Sequence, residues 1–173
     1  MKTRYSLIAL GALMALSQAA MAQRGSSGNV NVIYWQAPSI LNPYLSGGTK
    51  DLEASSLVLD PLVKFNQNGE MVAALVESVP TVANGGFSAD FKTITYKLKR
   101  GLKWSDGSPL TASDVVFTYD YLKKFPALDF NSVSKLMESV EKVDEHTVRF
   151  NLIQPNSLVA TTIVAGRVVH DTR

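Results

Sequence analysis

The chain has 173 residues, 46% of them hydrophobic and 18% charged, with a formal net charge of +2 and no cysteine. That length suits one domain with a real core, and the apolar fraction excludes a disordered or low-complexity chain. Without cysteine there is no disulfide framework, no thiol nucleophile and no thiolate-based zinc or iron–sulfur site, and two histidines leave little for imidazole-based metal chemistry.

Lys2 and Arg4 form a short basic head. The apolar run Leu7–Leu16 follows, and then Ala20-Met21-Ala22, the small-x-small pattern that signal peptidase reads. A membrane-spanning helix needs about 20 apolar residues, and Ser17 and Gln18 interrupt this run too early. Residues 1–22 are therefore expected to be a cleaved export signal, with 23–173 as the mature chain. Loss of Lys2 and Arg4 takes Lys plus Arg from 17 to 15, equal to Asp plus Glu at 15, so the mature chain is formally neutral. No basic surface for nucleic acid is indicated. With no cysteine to carry a lipid behind the leader, the product is expected to be soluble, unanchored and suited to a periplasm.

Along the mature chain, Arg24–Asn29 reads as a flexible start and Val30–Trp35 as a short apolar strand. Pro38, Asn42-Pro43 and Gly47-Gly48 make residues 36–48 a loop. Thr49–Asp60 has helical composition, with Asp51 and Glu53 placed to suit the helix dipole and Pro61 as the stop. Leu62–Phe65 reads as a strand entering an Asn68-Gly69 turn. In Thr93–Lys99, Ile94, Tyr96 and Leu98 alternate with polar residues; in Thr147–Leu152, Val148, Phe150 and Leu152 do the same. Leu136–Val143 is the expected hairpin partner of the latter, across Asp144-Glu145-His146. Thr111-Ala112-Ser113-Asp114 has the form of a capping box. Ala112, Val115, Val116, Tyr119 and Leu122 then mark the core face of a helix that ends at Lys123-Lys124 before Pro126.

The search for catalytic chemistry comes back empty. Asp106-Gly107 reads as a tight turn rather than an acidic catalytic loop. Asp129, Glu138, Glu141, Asp144 and Glu145 follow the density of solvated faces, and no carboxylate pair can be deduced from them. His146 falls in a turn and His170 in the tail, both read as surface residues. No nucleophile elbow, P-loop or dinucleotide fingerprint is present. Tyr34, Trp35, Tyr44 and Phe87 lie beside Pro/Gly loops and could line a ligand cleft. For each of them packing in a core or loop is the commoner role. Trp35 stands out because it ends a predicted strand just before a loop, and in open α/β proteins ligands collect outside the carboxyl ends of strands.

The stretch from Ile94 to Tyr119 is more specific. A strand ends in Lys99-Arg100, then come Gly101, the bulky Leu102 and Trp104, Asp106-Gly107, Pro109, Thr111-Ala112 and Asp114-Val115-Val116 opening a helix. In this order and spacing it resembles the signature of the extracellular solute-binding protein family 5, the peptide-, dipeptide- and nickel-type binding components of ABC importers. Leu41-Asn42-Pro43, Asp60-Pro61-Leu62-Val63 before the Asn68-Gly69 turn, and Val140–Asn151 with Phe150 and Pro155 extend the likeness over about residues 30–157. After Ser157 the family pattern is expected to fade.

The resemblance implies an α/β fold of mixed α+β type, the partial N-terminal lobe of a two-lobed periplasmic-binding-protein type II fold. It implies a non-enzymatic, cofactor-free, monomeric protein that captures a solute between lobes and offers it to membrane permease subunits. Peptide is the leading solute, with nickel complexes or oligosaccharides behind it. It places Trp35, Gln36, Ala37, Pro38 and Ser39 at the cleft, where their backbone can pair with an extended peptide. Asp106, Gly107 and Asp114 it makes structural. The chain is much shorter than the family's members, so it is expected to be a truncated lobe, poorly stable, with open sheet edges and half a cleft that binds little alone. The competing readings are a fragment without transport function, a secreted hydrolase and a surface adhesion module.

Overall fold

The computed structural model describes Gly28 and residues 31–129, 132–160 and 168–170. The predicted leader at 1–22 and nearly all of the predicted flexible start lie outside the described residues. The chain divides into two units, Met1–Gln36 and Ala37–Arg173.

In the first unit, residues 31–36 form neither helix nor strand. The strand expected over Val30–Trp35 is therefore not found at its described positions. A strand is defined by its ladder, and this stretch pairs with no other among the described residues. Ile33 and Trp35 are exposed, and the Tyr34 and Trp35 rings lie 5.9 Å apart.

In the second unit, α1 spans Thr49–Ser55, five residues short of the expected end. The Ser55 and Ser56 hydroxyls donate back to the Leu52 and Glu53 carbonyls. The Ser56, Leu57 and Val58 amides switch to i−3 acceptors, which tightens and closes the helix before Pro61 can. Strands β1 (Val63–Phe65) and β2 (Met71–Ala73) then form an antiparallel hairpin. Its turn is closed by Asn66, whose side chain accepts the Asn68 and Glu70 amides while Gly69 takes φ +78°.

Strand β3 (Thr93–Lys97), helix α2 (Ala112–Lys124) and the hairpin of β4 (Met137–Asp144) with β5 (Thr147–Leu152) make the main layer pair. The sheet is antiparallel in the order β3-β5-β4, with Ile94 opposite Phe150, Tyr96 opposite Val148 and Val140 opposite Phe150. The predicted alternation holds: Ile94, Tyr96 and Leu98 from one strand region and Val148, Phe150 and Leu152 from the other are all buried. Helix α2 packs on β4 and β5 through Ala112, Val115, Tyr119 and Leu122. Phe150 is the hinge of this packing, edge-on to Tyr119 at 4.8 Å and to Tyr96 at 5.5 Å. The Thr111 hydroxyl accepts the Ser113 amide and the Asp114 carboxylate accepts the Thr111 amide at 2.8 Å, completing the predicted capping box.

The outer edge of β3 is partly covered. The Thr95 amide donates to the Gly86 carbonyl at 2.7 Å and the Ser88 amide to Thr93 at 2.9 Å. This approach demands glycine, because a Cβ on Gly86 would lie 2.5 Å from Pro80 Cβ. On β4, the opposite edge of the sheet, Lys142 and Val143 are exposed.

Candidate functional site

The predicted ligand segment is divided by the boundary after Gln36. Trp35 and Gln36 are exposed at the end of the first unit; Ala37, Pro38 and Ser39 are exposed at the start of the second. Ser39 differs from its neighbours because its polar groups are occupied. Its amide donates to Asp51 Oδ1 at 2.6 Å, and its hydroxyl accepts a hydrogen bond from Lys50 Nζ. Pro38 has no amide hydrogen. Of the two second-unit residues before Ser39, only Ala37 therefore has an N–H to offer.

Asp51 is the centre of this loop, a role sequence reasoning missed. Its place in the first turn of α1 predicts only a partner for the helix dipole. The structure buries it at 2% exposure and surrounds it with donors: Ser39 and Ile40 amides, the Ser46 hydroxyl at 2.7 Å and Lys50 Nζ at 3.0 and 3.2 Å. The Ser46 hydroxyl above all, with Lys50 and the two amides, holds its carboxyl far below the ordinary carboxylate range, against the opposing effect of burial. The available signal was the spacing of Ser39, Ser46, Gly47-Gly48 and Asp51, a polar loop folded over a helix start.

A second candidate lies in an open groove of about 600 Å³ bordered by Leu59, Leu75, Leu110, Trp104, Val168 and His170. Here His170, expected at the surface, is half-buried against Trp104 with ring centroids 4.7 Å apart. Its Nε2 lies 2.8 Å from Ser108 Oγ and 3.6 Å from Asp106 Oδ2. The trio has the composition of a Ser–His–Asp triad but not its wiring. Ser108 Oγ donates to Asp106 Oδ1 at 2.6 Å, so its proton goes to the carboxylate and the imidazole cannot accept it. His170 Nδ1, where a triad's aspartate would sit, is buried without a hydrogen-bond partner among the described residues. The group closes a turn: Asp106 also accepts the Ser108 amide, and Gly107 takes φ +89°. Asp106 is held below its ordinary range by the Ser108 hydroxyl, then the Ser108 amide and the charge of His170. The Asp-Gly turn reading stands.

Other sequence candidates dissolve into packing. Tyr44 and Phe87 belong to the hydrophobic core. Asp129, expected on a solvated face, is buried and accepts the Val133 and Ser134 amides and the Ser134 hydroxyl, as a cap does. Asp144 accepts the His146 amide at 2.7 Å in the β4–β5 turn, and that bond is the main cause of its lowered pKa. Among the described residues, no three His, Cys, Asp or Glu side chains gather to hold a metal ion. No helix of the described residues is long and apolar enough to cross a membrane.

The model of the family described as bacterial extracellular solute-binding proteins, family 5 Middle, matches residues 70–171. The chain belongs to this family. The family 5 match continues beyond Ser157, where the pattern was expected to fade, and takes in the buried Val168. The dipeptide-binding protein of Escherichia coli K12 is 30% identical over 89% of this chain and 32% of its own length. The oligopeptide-binding protein AppA of Bacillus subtilis is 31% identical over 76% of this chain and 24% of its own. The crystal structure of NikA from Brucella suis in complex with Fe(III)-EDTA superposes with TM-score 0.68 at 26% identity, covering 81% of this chain and 28% of that one. The periplasmic oligopeptide-binding protein of an oligopeptide ABC transporter from Thermotoga maritima gives 0.65 at 28%, covering 79% and 24%. This family 5 chain thus spans a third or less of the relatives it matches, and its mixed helix–strand fold is part of a two-lobed periplasmic binding protein.

Proposed function

We propose that this chain is the N-terminal part of the substrate-binding component of an ABC importer, exported through residues 1–22 and folded from 23–173 as a truncated first lobe. In the periplasm it contributes one wall of the cleft that captures a peptide and presents it to membrane permease subunits. It binds and does not turn its ligand over. The observation that carries this reading is the family match over residues 70–171, joined by relatives named for binding dipeptides and oligopeptides.

Trp35, Gln36, Ala37, Pro38 and Ser39 are the ligand-facing segment in this reading. With Ser39's amide on Asp51 and Pro38 without one, the segment offers the amides of Trp35, Gln36 and Ala37 and its carbonyls to an extended peptide. Main-chain pairing of this kind gives affinity with little side-chain selectivity. Half a cleft encloses a ligand poorly, so the isolated chain binds weakly.

The test has two parts. Expression with the leader in a Gram-negative host should yield periplasmic protein beginning at Gln23. Titration of that product with millimolar tri-alanine, followed by amide chemical shifts, should move Trp35, Gln36 and Ala37 while mass spectrometry finds the peptide intact. Hydrolysis of the peptide would revive the hydrolase reading, and an unprocessed cytoplasmic product would remove the export step.

A further inference from the structure

A carboxylate taken out of water costs several kcal/mol unless its lone pairs are used. Asp51 uses them on a segment distant in sequence: the Ser39 and Ile40 amides, twelve and eleven residues upstream, both converge on Oδ1 at 2.6 and 3.3 Å. Oδ2 takes the Ser46 hydroxyl at 2.7 Å, and Ser46 Oγ in turn accepts the Gly48 amide at 3.1 Å at the start of α1. Lys50 bridges the same pieces, reaching both Asp51 oxygens and the Ser39 hydroxyl, with its side chain only 15% exposed. One carboxylate therefore ties the far end of the exposed Ala37–Ser39 stretch to the helix, and does so through backbone rather than side chains. The two amide bonds to the carboxylate do not depend on the Ser39 hydroxyl, which adds only the further link to Lys50.

We infer that Asp51 is a positioning residue for ligand capture: it fixes Ser39 and Ile40, and so sets where Ala37 and Pro38 present their backbone to an extended peptide. This rests on the reading of Trp35–Ser39 as the ligand-facing segment. Asp51 itself touches no ligand. The donors that bind it are all internal, which leaves its carboxylate without free acceptor capacity on the loop side.

The test compares wild type, Asp51→Ala, Asp51→Asn and Ser46→Ala by amide hydrogen exchange and by the tri-alanine titration. Removing the carboxylate should speed exchange at Ser39 and Ile40 about tenfold or more, the scale of losing charge-assisted hydrogen bonds. Amides of β3 and β5 should keep their protection. Asp51→Asn keeps the side chain's size and one acceptor oxygen but not its charge, so it should restore only part of the protection and part of the peptide-induced shift at Ala37, where a bulk packing role would restore both in full. Unchanged exchange at Ser39 and Ile40 in Asp51→Ala would overturn the inference. Faster exchange with an unchanged tri-alanine response would instead overturn the ligand assignment of the segment and leave the tie standing. Should Asp51→Ala unfold, seen as lost protection throughout β5, Ser46→Ala decides: about threefold faster exchange at Ser39 is expected from losing one hydroxyl donor, and no change counts against it.

Discussion

The Ala37–Arg173 unit holds its shape in two ways. In the sheet β3-β5-β4 and helix α2, order comes from apolar side chains on regular periods, with Phe150 at the centre. Between Ser39 and Ser55, order comes from one buried carboxylate that gathers amides, a hydroxyl and an ammonium group. Apolar packing is spread over many weak contacts and loses strength by degrees. A polar hub concentrates its effect, since removing its acceptor strands several buried donors at once.

The largest effect should come from breaking the apolar side of that contrast. Phe150→Ala is expected to cost about 3–5 kcal/mol, because the ring is fully buried and its neighbours Tyr96 and Tyr119 cannot collapse into the space without leaving their own positions. Urea titration of both proteins measures it; a loss under about 1 kcal/mol would mean that the sheet–helix layer is not the stabilising element.

Acid should break the polar side first. Asp51, and the turn carboxylates Asp106 and Asp144, all have folded-state pKa values lowered by hydrogen bonds. Their contribution is present above the unfolded value near 3.9 and is lost as pH falls through the lower folded values. Melting temperature should thus hold between about pH 5 and 7 and fall below about pH 4. Asp51→Asn should make that fall shallower. An identical acid profile in the variant would show that Asp51 is not held ionised by its neighbours.

A smaller effect sharpens the boundary between the two modes. The Thr118 hydroxyl, on the apolar helix α2, donates to the Asp114 carbonyl and accepts the Val169 amide at 3.0 Å. Thr118→Val should cost about 1–2 kcal/mol by leaving that amide unpaired, and should make the chain beyond Val168 easier to cleave by protease. The smallest change expected is for Thr111→Ala, about 1 kcal/mol for a lost helix cap, read from the same urea curves.

The apolar half was legible in the sequence because a period of two or of 3.6 is itself the physical cause of burial. Ile94, Tyr96 and Leu98, Val148, Phe150 and Leu152, and the Thr111–Asp114 cap all stand where the pattern puts them. The polar half was not. Asp51 satisfies groups eleven and twelve residues away, a relation with no period, and Asp129 and His170 likewise acquire partners only when the chain folds. The strand expected at Val30–Trp35 is not found at its described positions 31–35 for the related reason that an apolar run describes one strand while a ladder needs two. As for the proposed ligand segment, the family resemblance named its residues, but the occupation of Ser39 by Asp51 and Lys50 became visible only in three dimensions.

The chain has two tryptophans, and they lie in unlike surroundings. Trp35 is 69% exposed within the proposed ligand segment, whereas Trp104 is half-buried with its ring against His170. The protein therefore carries two intrinsic optical reporters. Trp35 emission should lie to the red and be open to a soluble collisional quencher, and an approaching peptide should shield it. Trp104 emission should lie to the blue and be sheltered from the quencher. Single Trp→Phe replacements would separate the two signals, so that ligand approach and the closure of the Asp106 turn could be followed in one cuvette without any added label.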